Sequence, residues 1–291
     1  LVYFMRDREE DVWVRRHLPA TLAHIPCAAT LEALLETLHD PDGFLRYKAL
    51  VALEHLRSTR PDLAIPKDTI EKLIVAETTR AFNRLTLHYN LFHAGGLDAT
   101  SLLARTLSEK YARAIDRVFT LLALVHAPGD IAAVRHALVA GDARGRSSAA
   151  EFLDNILTGE ARSRVMLLAE DMPLEVRIRK GNALFRTRQR DVEDTLAQLI
   201  HDESQEVAAT AIQLVEVQKR WTLAPDLEHT LQHRAARDWW VFEAASWALA
   251  AHRMPVEQRR ILWQEPLPAV ELADRLRRVQ LFDFVSVDEL F

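Results

Sequence analysis

A short pattern of acidic and apolar residues recurs along this chain at a spacing close to 31 residues. In the clear copies an acidic residue is followed by one apolar residue five positions later and another thirteen positions later. These copies start at Glu9, Asp40, Asp171 and Asp202, and looser ones start at Ala140 and Ala236. A period of 20–50 residues is typical of stacked supersecondary units. The pattern therefore predicts a repeat architecture in which the thirteenth positions, such as Leu184, are buried.

Each repeat has the features of two antiparallel helices. In the first full copy, leucines at helical spacing precede a break at 39–43, and a second helix is predicted at about 42–58 with Asp42 as its N-cap. Ala, Leu, Glu and Arg are abundant and only 8 glycines occur, which favours helix. One pair cannot bury its apolar face alone, whereas stacked pairs can. We expect an all-α protein, a right-handed α-solenoid of about seven to eight pairs.

The repeats are expected to form a single solenoid over 1–291. They are clearest at 1–60 and 130–252, and an irregular middle at 62–128 is predicted to hold helices at about 67–92 and 98–126. The segment 279–291 is interpreted as the start of a following domain. In the second half, helix stop and start signals predict helices at about 130–139, 143–157, 160–169, 173–188, 190–200, 203–219, 225–233 and 236–252.

An acidic residue at the turn with arginine six positions later resembles the HEAT-repeat family. The residues that carry the resemblance are Asp40 with Arg46 and Asp171 with Arg177. It implies a ladder of hydrogen bonds between adjacent units, in which each arginine satisfies the turn carboxylate and free carbonyl groups. Ala208 and Phe242 depart from the pattern, so the ladder is expected to break near both.

Four segments, 14–26, 45–56, 114–125 and 149–157, resemble the soluble HEAT region of bacterial nucleotide-transporter-like membrane proteins that also carry a cyclic-nucleotide-binding domain. The resemblance implies a cytoplasmic location, including the cytosolic face of the inner membrane. The last residues, 279–291, resemble the opening helix of the nucleotide-binding domain. Neither the ligand cassette of that domain nor the transporter is in this chain, so neither activity is implied for it.

Charge and cysteine content exclude some classes. The formal net charge is −5 with a pI of about 6.2, which argues against a dedicated nucleic-acid binder. The single cysteine, Cys27, permits no disulfide within the chain and is expected to be a small buried apolar residue in a reducing compartment. The longest apolar run, 118–125, is too short to cross a bilayer.

Basic residues are densest between 177 and 190. One interpretation is a binding surface for an acidic peptide, a phospholipid head group or nucleic acid. The alternative is one ladder arginine together with cations that are favoured near a helix C-terminus. The candidate surface is Arg177, Arg179, Lys180, Arg186, Arg188 and Arg190.

Four aromatic residues crowd one predicted helix near the end of the chain. Trp240 and Trp247 are seven positions apart and share a face, which is typical of the packed core of a repeat, and the alternative interpretation is an aromatic partner pocket. Trp239 lies on another face and is the better candidate for a contact surface.

Sites for chemistry are not assembled in the sequence. His229 and His233 are four positions apart, but no third ligand lies nearby in the sequence, so no metal or cofactor is predicted. No nucleophile-elbow, P-loop or dinucleotide-binding motif occurs. Three hypotheses remain for this chain. They are a non-catalytic adaptor with protein partners inside a larger membrane-associated protein, a free-standing protein-binding solenoid, and an enzyme of the HEAT-like DNA-glycosylase type.

Overall fold

The computed structural model describes residues 1–233, 238–255, 257–258 and 267–291. Over these residues the protein is all-helical, with 76% of residues in helices and no strand. The expected all-α class is therefore confirmed for the described part. The repeat frame that starts at Ala236 begins outside the described residues.

Sixteen α-helices account for most of the described chain. They are α1 Val2–Arg6, α2 Val12–Ala23, α3 Ala28–Thr37, α4 Gly43–Thr59, α5 Lys67–His88, α6 Leu102–Val125, α7 Pro128–Ala140, α8 Ala143–Ile156, α9 Gly159–Ala169, α10 Leu174–Phe185, α11 Val192–Ile200, α12 Gln205–Val217, α13 Ala224–Gln232, α14 Trp239–Arg253, α15 Ala269–Leu276 and α16 Val287–Leu290. A π-helix, Tyr89–Ala94, extends α5, and short 3₁₀ turns lie at Trp221–Leu223 and Gln280–Phe282.

The helices group into two compact units. The first unit comprises Leu1–Phe82 and Ala112–Thr187, and the second comprises Asn83–Tyr111 and Arg188–Phe291. Helices α5 and α6 each contribute residues to both. The single right-handed solenoid expected over 1–291 stays a prediction.

Local signals explain where many helices begin. Asp11, Asp42, Asp142 and Asp191 are N-caps whose carboxylates accept main-chain N–H groups in the first turns of α2, α4, α8 and α11. Such a cap satisfies one of the free N–H groups at a helix start. The predicted boundaries in the second half match the structure to within a few residues, and the N-cap predicted at Asp42 is confirmed.

Within each unit, consecutive helices pack in pairs, and second helices of successive pairs also contact each other. Helices α3 and α4 pair in the first unit, and α4 also packs on α2. Helices α11 and α12 pair in the second unit, and α12 also packs on α14. The apolar face of α4 (Leu45, Ala49, Leu53 and Leu56) is buried, as the repeat frame predicts.

One core position was predicted on the wrong face of α10. Leu184 is 36% exposed, whereas Ile178 and Gly181 of the same helix are buried. The ring of Phe185 stacks on that of Phe82 at a centroid distance of 4.5 Å. The face of α10 that packs against α5 is therefore that of residues 178, 181 and 185. This face is shifted by one residue from the face that the repeat frame predicts, which contains residue 184.

In the second unit the end of the chain packs against α6. Val287 is fully buried, and its N–H group donates to Glu109 Oε2 at 2.8 Å. Arg105 donates to the carbonyl of Val285 at 2.7 Å, and Lys110 pairs with Asp288 at 2.8 Å. Residues 285–291 thus belong to this unit's packing, and the interpretation of 279–291 as the start of a following domain stays a prediction.

Candidate functional site

Arginines connect the inter-helix turns of the first unit. The carboxylate of Asp40 accepts from Arg15 at 2.5 Å, and that of Asp171 accepts from Arg146 at 3.0 Å. Both pairs are 25 residues apart, so an arginine of one repeat reaches the turn of the next. The sequence frame placed Arg46 with Asp40 and Arg177 with Asp171, and this assignment of carboxylate partners is wrong.

The predicted arginines instead donate to main-chain carbonyls at the break before their own helix. Arg46 Nη1 lies 2.6 Å from the carbonyl oxygen of Asp40, and Arg177 Nη2 lies 2.7 Å from that of Glu170. A guanidinium that satisfies its own turn has further donors, and these can reach a neighbouring repeat. Two other arginines, Arg15 and Arg146, reach the turn carboxylate of the next repeat in this way.

A buried carboxylate in the first unit is surrounded by three arginines. Glu77 is 3% exposed, and its oxygens accept from Arg46 Nε at 2.9 Å, Arg80 Nη1 at 2.8 Å and Arg117 Nε at 3.0 Å. Burial raises the pKa of Glu77, but the three guanidinium groups outweigh it and hold the pKa below its usual value. This cluster, which the sequence reasoning missed, carries more positive than negative charge.

The excess of positive charge in this cluster also changes the pKa of Arg46. Burial lowers the pKa of this guanidinium to about 10, although Glu77 acts in the opposite direction. Repulsion from Arg80 and Arg117 adds to the lowering. The cluster is therefore a place where one further negative charge would be favourable.

Aromatic rings and cations alternate across the neighbouring helices α2 and α4. The guanidinium of Arg16 lies 5.3 Å from the ring centroid of Trp13 and 5.2 Å from that of Phe44, and Lys48 Nζ lies 5.1 Å from the Phe44 centroid. We call Trp13, Arg16, Phe44, Tyr47 and Lys48 the aromatic–cation ridge. Arg16 is fixed in place because its Nε donates to Asp42 at 2.7 Å.

The ridge exposes large rings to solvent. Trp13 is 62% exposed, Tyr47 is 50% exposed and Phe44 is 40% exposed. A signal was present in the sequence, since Trp13 and Phe44 both stand four positions after the acidic residue of their repeats. Aromatic residues and arginine are enriched at protein interfaces, and contiguous exposed apolar patches often mark interaction sites.

The predicted basic surface divides between the two units. In the first unit Arg179, Lys180 and Arg186 are exposed, and in the second unit Arg188 and Arg190 are exposed. None of these five forms an ion pair with another described residue, and Arg177 is half-buried. Exposed arginines with carboxylate partners elsewhere include Arg6, Arg60, Arg135, Arg162, Arg253 and Arg275.

The late tryptophans differ in their exposure. Trp239 is 61% exposed and contacts Trp240 edge to face at 5.9 Å. Trp240 and Trp247 are half-buried, and the Trp240 ring lies 6.0 Å from that of Phe291. Trp239 thus remains available as a contact surface, which stays a prediction.

Candidate metal and thiol groups are arranged as follows. The ring centroid of His229 lies 4.0 Å from that of His233 and 5.3 Å from that of His201. The Nε2 atom of His201 lies 2.9 Å from Oδ1 of Asp226. In the part of the chain that the structure describes, no group of three or more His, Cys, Asp or Glu side chains could hold a metal ion.

The expectation that Cys27 is buried was wrong, because this residue is exposed at the start of α3 beside Thr30.

A cavity of about 420 Å³ opens in the second unit. Asp98, Asp274, Arg277 and Arg278 line it together with uncharged residues. Arg277 and Arg278 both pair with Asp274, and Arg277 also donates to the carbonyl of Thr100 at 2.7 Å. Since these charges already satisfy one another, the cavity offers a ligand fewer free groups than the Glu77 cluster does.

Across the described residues, no helix is long and apolar enough to cross a membrane. When the chain was compared with protein-family models, with curated proteins and with solved structures, no match was found.

Proposed function

We propose that this chain is a non-catalytic protein-interaction scaffold built from HEAT-like helix pairs, and that the aromatic–cation ridge is a surface on which a protein partner docks. The observation that carries the proposal is the exposure of Trp13 and Tyr47 beside an arginine that Asp42 holds in one orientation. Rings and a pre-ordered guanidinium lose little conformational entropy on binding, so they are favourable anchors.

The resemblance to the soluble HEAT region of certain membrane proteins supports a more specific role. We propose that the chain acts in the cytoplasm as an adaptor within a larger membrane-associated protein and binds other domains of the same polypeptide. Translation of the flanking gene tests this role. Hydrophobic spans upstream and a nucleotide-binding cassette downstream are expected, whereas a gene without them favours a free-standing scaffold.

Affinity capture with quantitative mass spectrometry tests the ridge. The bait is the whole chain, compared with a Trp13→Ala/Tyr47→Ala variant and with Phe284→Ala, which removes a 97% exposed ring from the second unit. A partner should be retained by the wild type and by Phe284→Ala and lost from the ridge variant. Equal capture by all three baits, followed by equal affinities for the purified partner, would show that the ridge is not the docking surface.

Nucleic acid is the second candidate ligand, because rings alternating with cations also bind single strands by stacking and by phosphate contacts. Charge opposes it, since Asp42 neutralises Arg16 and the chain carries a net charge of −5. Fluorescence anisotropy with labelled single-stranded and duplex DNA at low salt separates the two classes. Binding that weakens with salt and with Trp13→Ala would favour the nucleic-acid candidate.

A further inference from the structure

Two buried arginines of the Glu77 cluster have nitrogen atoms without partners beside Gly43. Arg46 is 5% exposed and Arg117 is 8% exposed, and the Nε atoms of both donate to Glu77. Nη2 of Arg46 and both Nη atoms of Arg117 have no hydrogen-bond acceptor among the described residues. A Cβ atom at Gly43 would lie 3.5 Å from Arg46 Nη2 and 4.0 Å from Arg117 Nη1, and no other atom lies within 4 Å of it apart from the adjoining residues and the α4 backbone.

The charges around this space do not balance. Three arginines pair with the one carboxylate of Glu77, whereas the two ion pairs at the turn before α4, Arg15–Asp40 and Arg16–Asp42, are each neutral, so two positive charges are in excess. Arg46, Arg80 and Arg117 share the single counter-charge of Glu77, and a further anion beside them would relieve the repulsion among the three guanidinium groups. The groups counted are Arg15, Arg16, Arg46, Arg80 and Arg117 against Asp40, Asp42 and Glu77.

Gly43 is the first residue of α4, a helix of 17 residues. Its N–H group has no acceptor among the described residues, and it lies at the positive end of the helix dipole. Because glycine has no side chain, an oxyanion can approach the two guanidinium edges and the main chain together. A guanidinium fork matches the spacing of phosphate oxygens.

We propose that Arg46, Arg117 and the first turn of α4 bind one oxyanion of the phosphate class. The group recognised is the phosphoryl oxygens, whether they belong to free phosphate or to a phosphorylated side chain of a partner. Arg46 and Arg117 supply charge and donors, Gly43 supplies space, and Glu77 holds both guanidinium groups in orientation.

The variant Gly43→Ala tests the site while leaving the fold intact. Its methyl group would sit at ordinary van der Waals distances from Arg46 and Arg117 but would fill the space between them. Gly129→Ala is the matched control, because Gly129 also lies in the first turn of a helix and its added methyl would meet nothing within 4 Å. Thermal unfolding without ligand should show that both variants remain folded.

Isothermal titration with inorganic phosphate, at an ionic strength held constant with sodium chloride, gives the affinity. We expect wild type and Gly129→Ala to bind one phosphate each and Gly43→Ala to bind at least about tenfold more weakly. Phosphoserine is titrated in parallel. Equal affinities would show that the phosphoryl group itself is recognised, and binding of inorganic phosphate alone would show that the space admits only the free ion. No binding by wild type, or equal binding by Gly43→Ala, would overturn the proposal.

Discussion

Gly181 lies directly against the ring of Phe82. A Cβ atom at Gly181 would be 2.0 Å from Cε2 and 2.3 Å from Cζ of that ring, closer than any side chain tolerates. The same ring is fully buried and stacks on Phe185, so it has no free space into which it can move. The absence of a side chain at one residue therefore sets how α10 packs on α5.

Gly181→Ala should destabilise the protein by about 2 kcal/mol or more, because overpacking in a filled core forces strain on its neighbours. Urea denaturation measures the change. Adding Phe82→Leu to Gly181→Ala should recover part of the loss, and Gly129→Ala should leave stability within about 0.5 kcal/mol of wild type. A neutral Gly181→Ala would contradict this packing.

Two leucines at the same position of their repeats should respond differently to truncation. Leu53 is fully buried, so Leu53→Ala should cost about 2–5 kcal/mol. Leu184 is 36% exposed, so Leu184→Ala should cost less than about 1 kcal/mol. Chemical denaturation of the two variants side by side checks which face of each helix is buried. Equal losses in the free energy of unfolding would mean that Leu184 is a core residue, as the repeat frame predicts.

Removing the charge of Glu77 should be costly. Glu77→Gln leaves Arg46 and Arg117 buried without a counter-charge, and loss of one partner of a buried ion pair typically costs about 3–5 kcal/mol. Urea denaturation at pH 7 gives the loss. The exposed Glu151, which has no ion-pair partner among the described residues, provides the control Glu151→Gln, which should be nearly neutral.

Stability should also depend on pH through Glu77. The pKa of this carboxyl is lower in the folded protein than its ordinary value of 4.5, so the folded state binds the proton less tightly than the unfolded state. The resulting stabilisation is fully present above about pH 4.5 and is lost as the pH falls through the folded-state pKa. Unfolding free energies measured from pH 7 downward should fall less steeply in Glu77→Gln than in wild type.

The end of the chain should loosen when its contact on α6 is removed. Glu109 accepts from the N–H group of Val287 and pairs with Arg105. Glu109→Ala should speed hydrogen exchange of the amides in 285–290 by about tenfold, the equivalent of losing one charged hydrogen bond. Exchange in α12 should be unchanged, and Glu151→Ala should change neither. Unaltered exchange in 285–290 would mean that the segment is held by apolar packing alone.

Long-range contacts could not be read from the sequence. Glu77 lies 31 residues after Arg46 and 40 before Arg117, and nothing in its local pattern distinguishes it from a surface glutamate. The ridge was closer to prediction, because Trp13 and Phe44 occupy equivalent positions of adjacent repeats. The basic run at 177–190 was visible at once, and the structure adds that none of its six cations has an ion-pair partner among the described residues.

The sequence by itself determined the helical class, the pairing of helices at a period near 31 residues and most helix boundaries. These depend on periodicity and on caps such as Asp42, which act within one or two turns. Tertiary structure alone decided which face of α10 is buried, which carboxylate each turn arginine reaches, and that Cys27 is exposed. Those outcomes depend on side chains that other helices bring to the same place, and steric fit and desolvation there outweigh local preference.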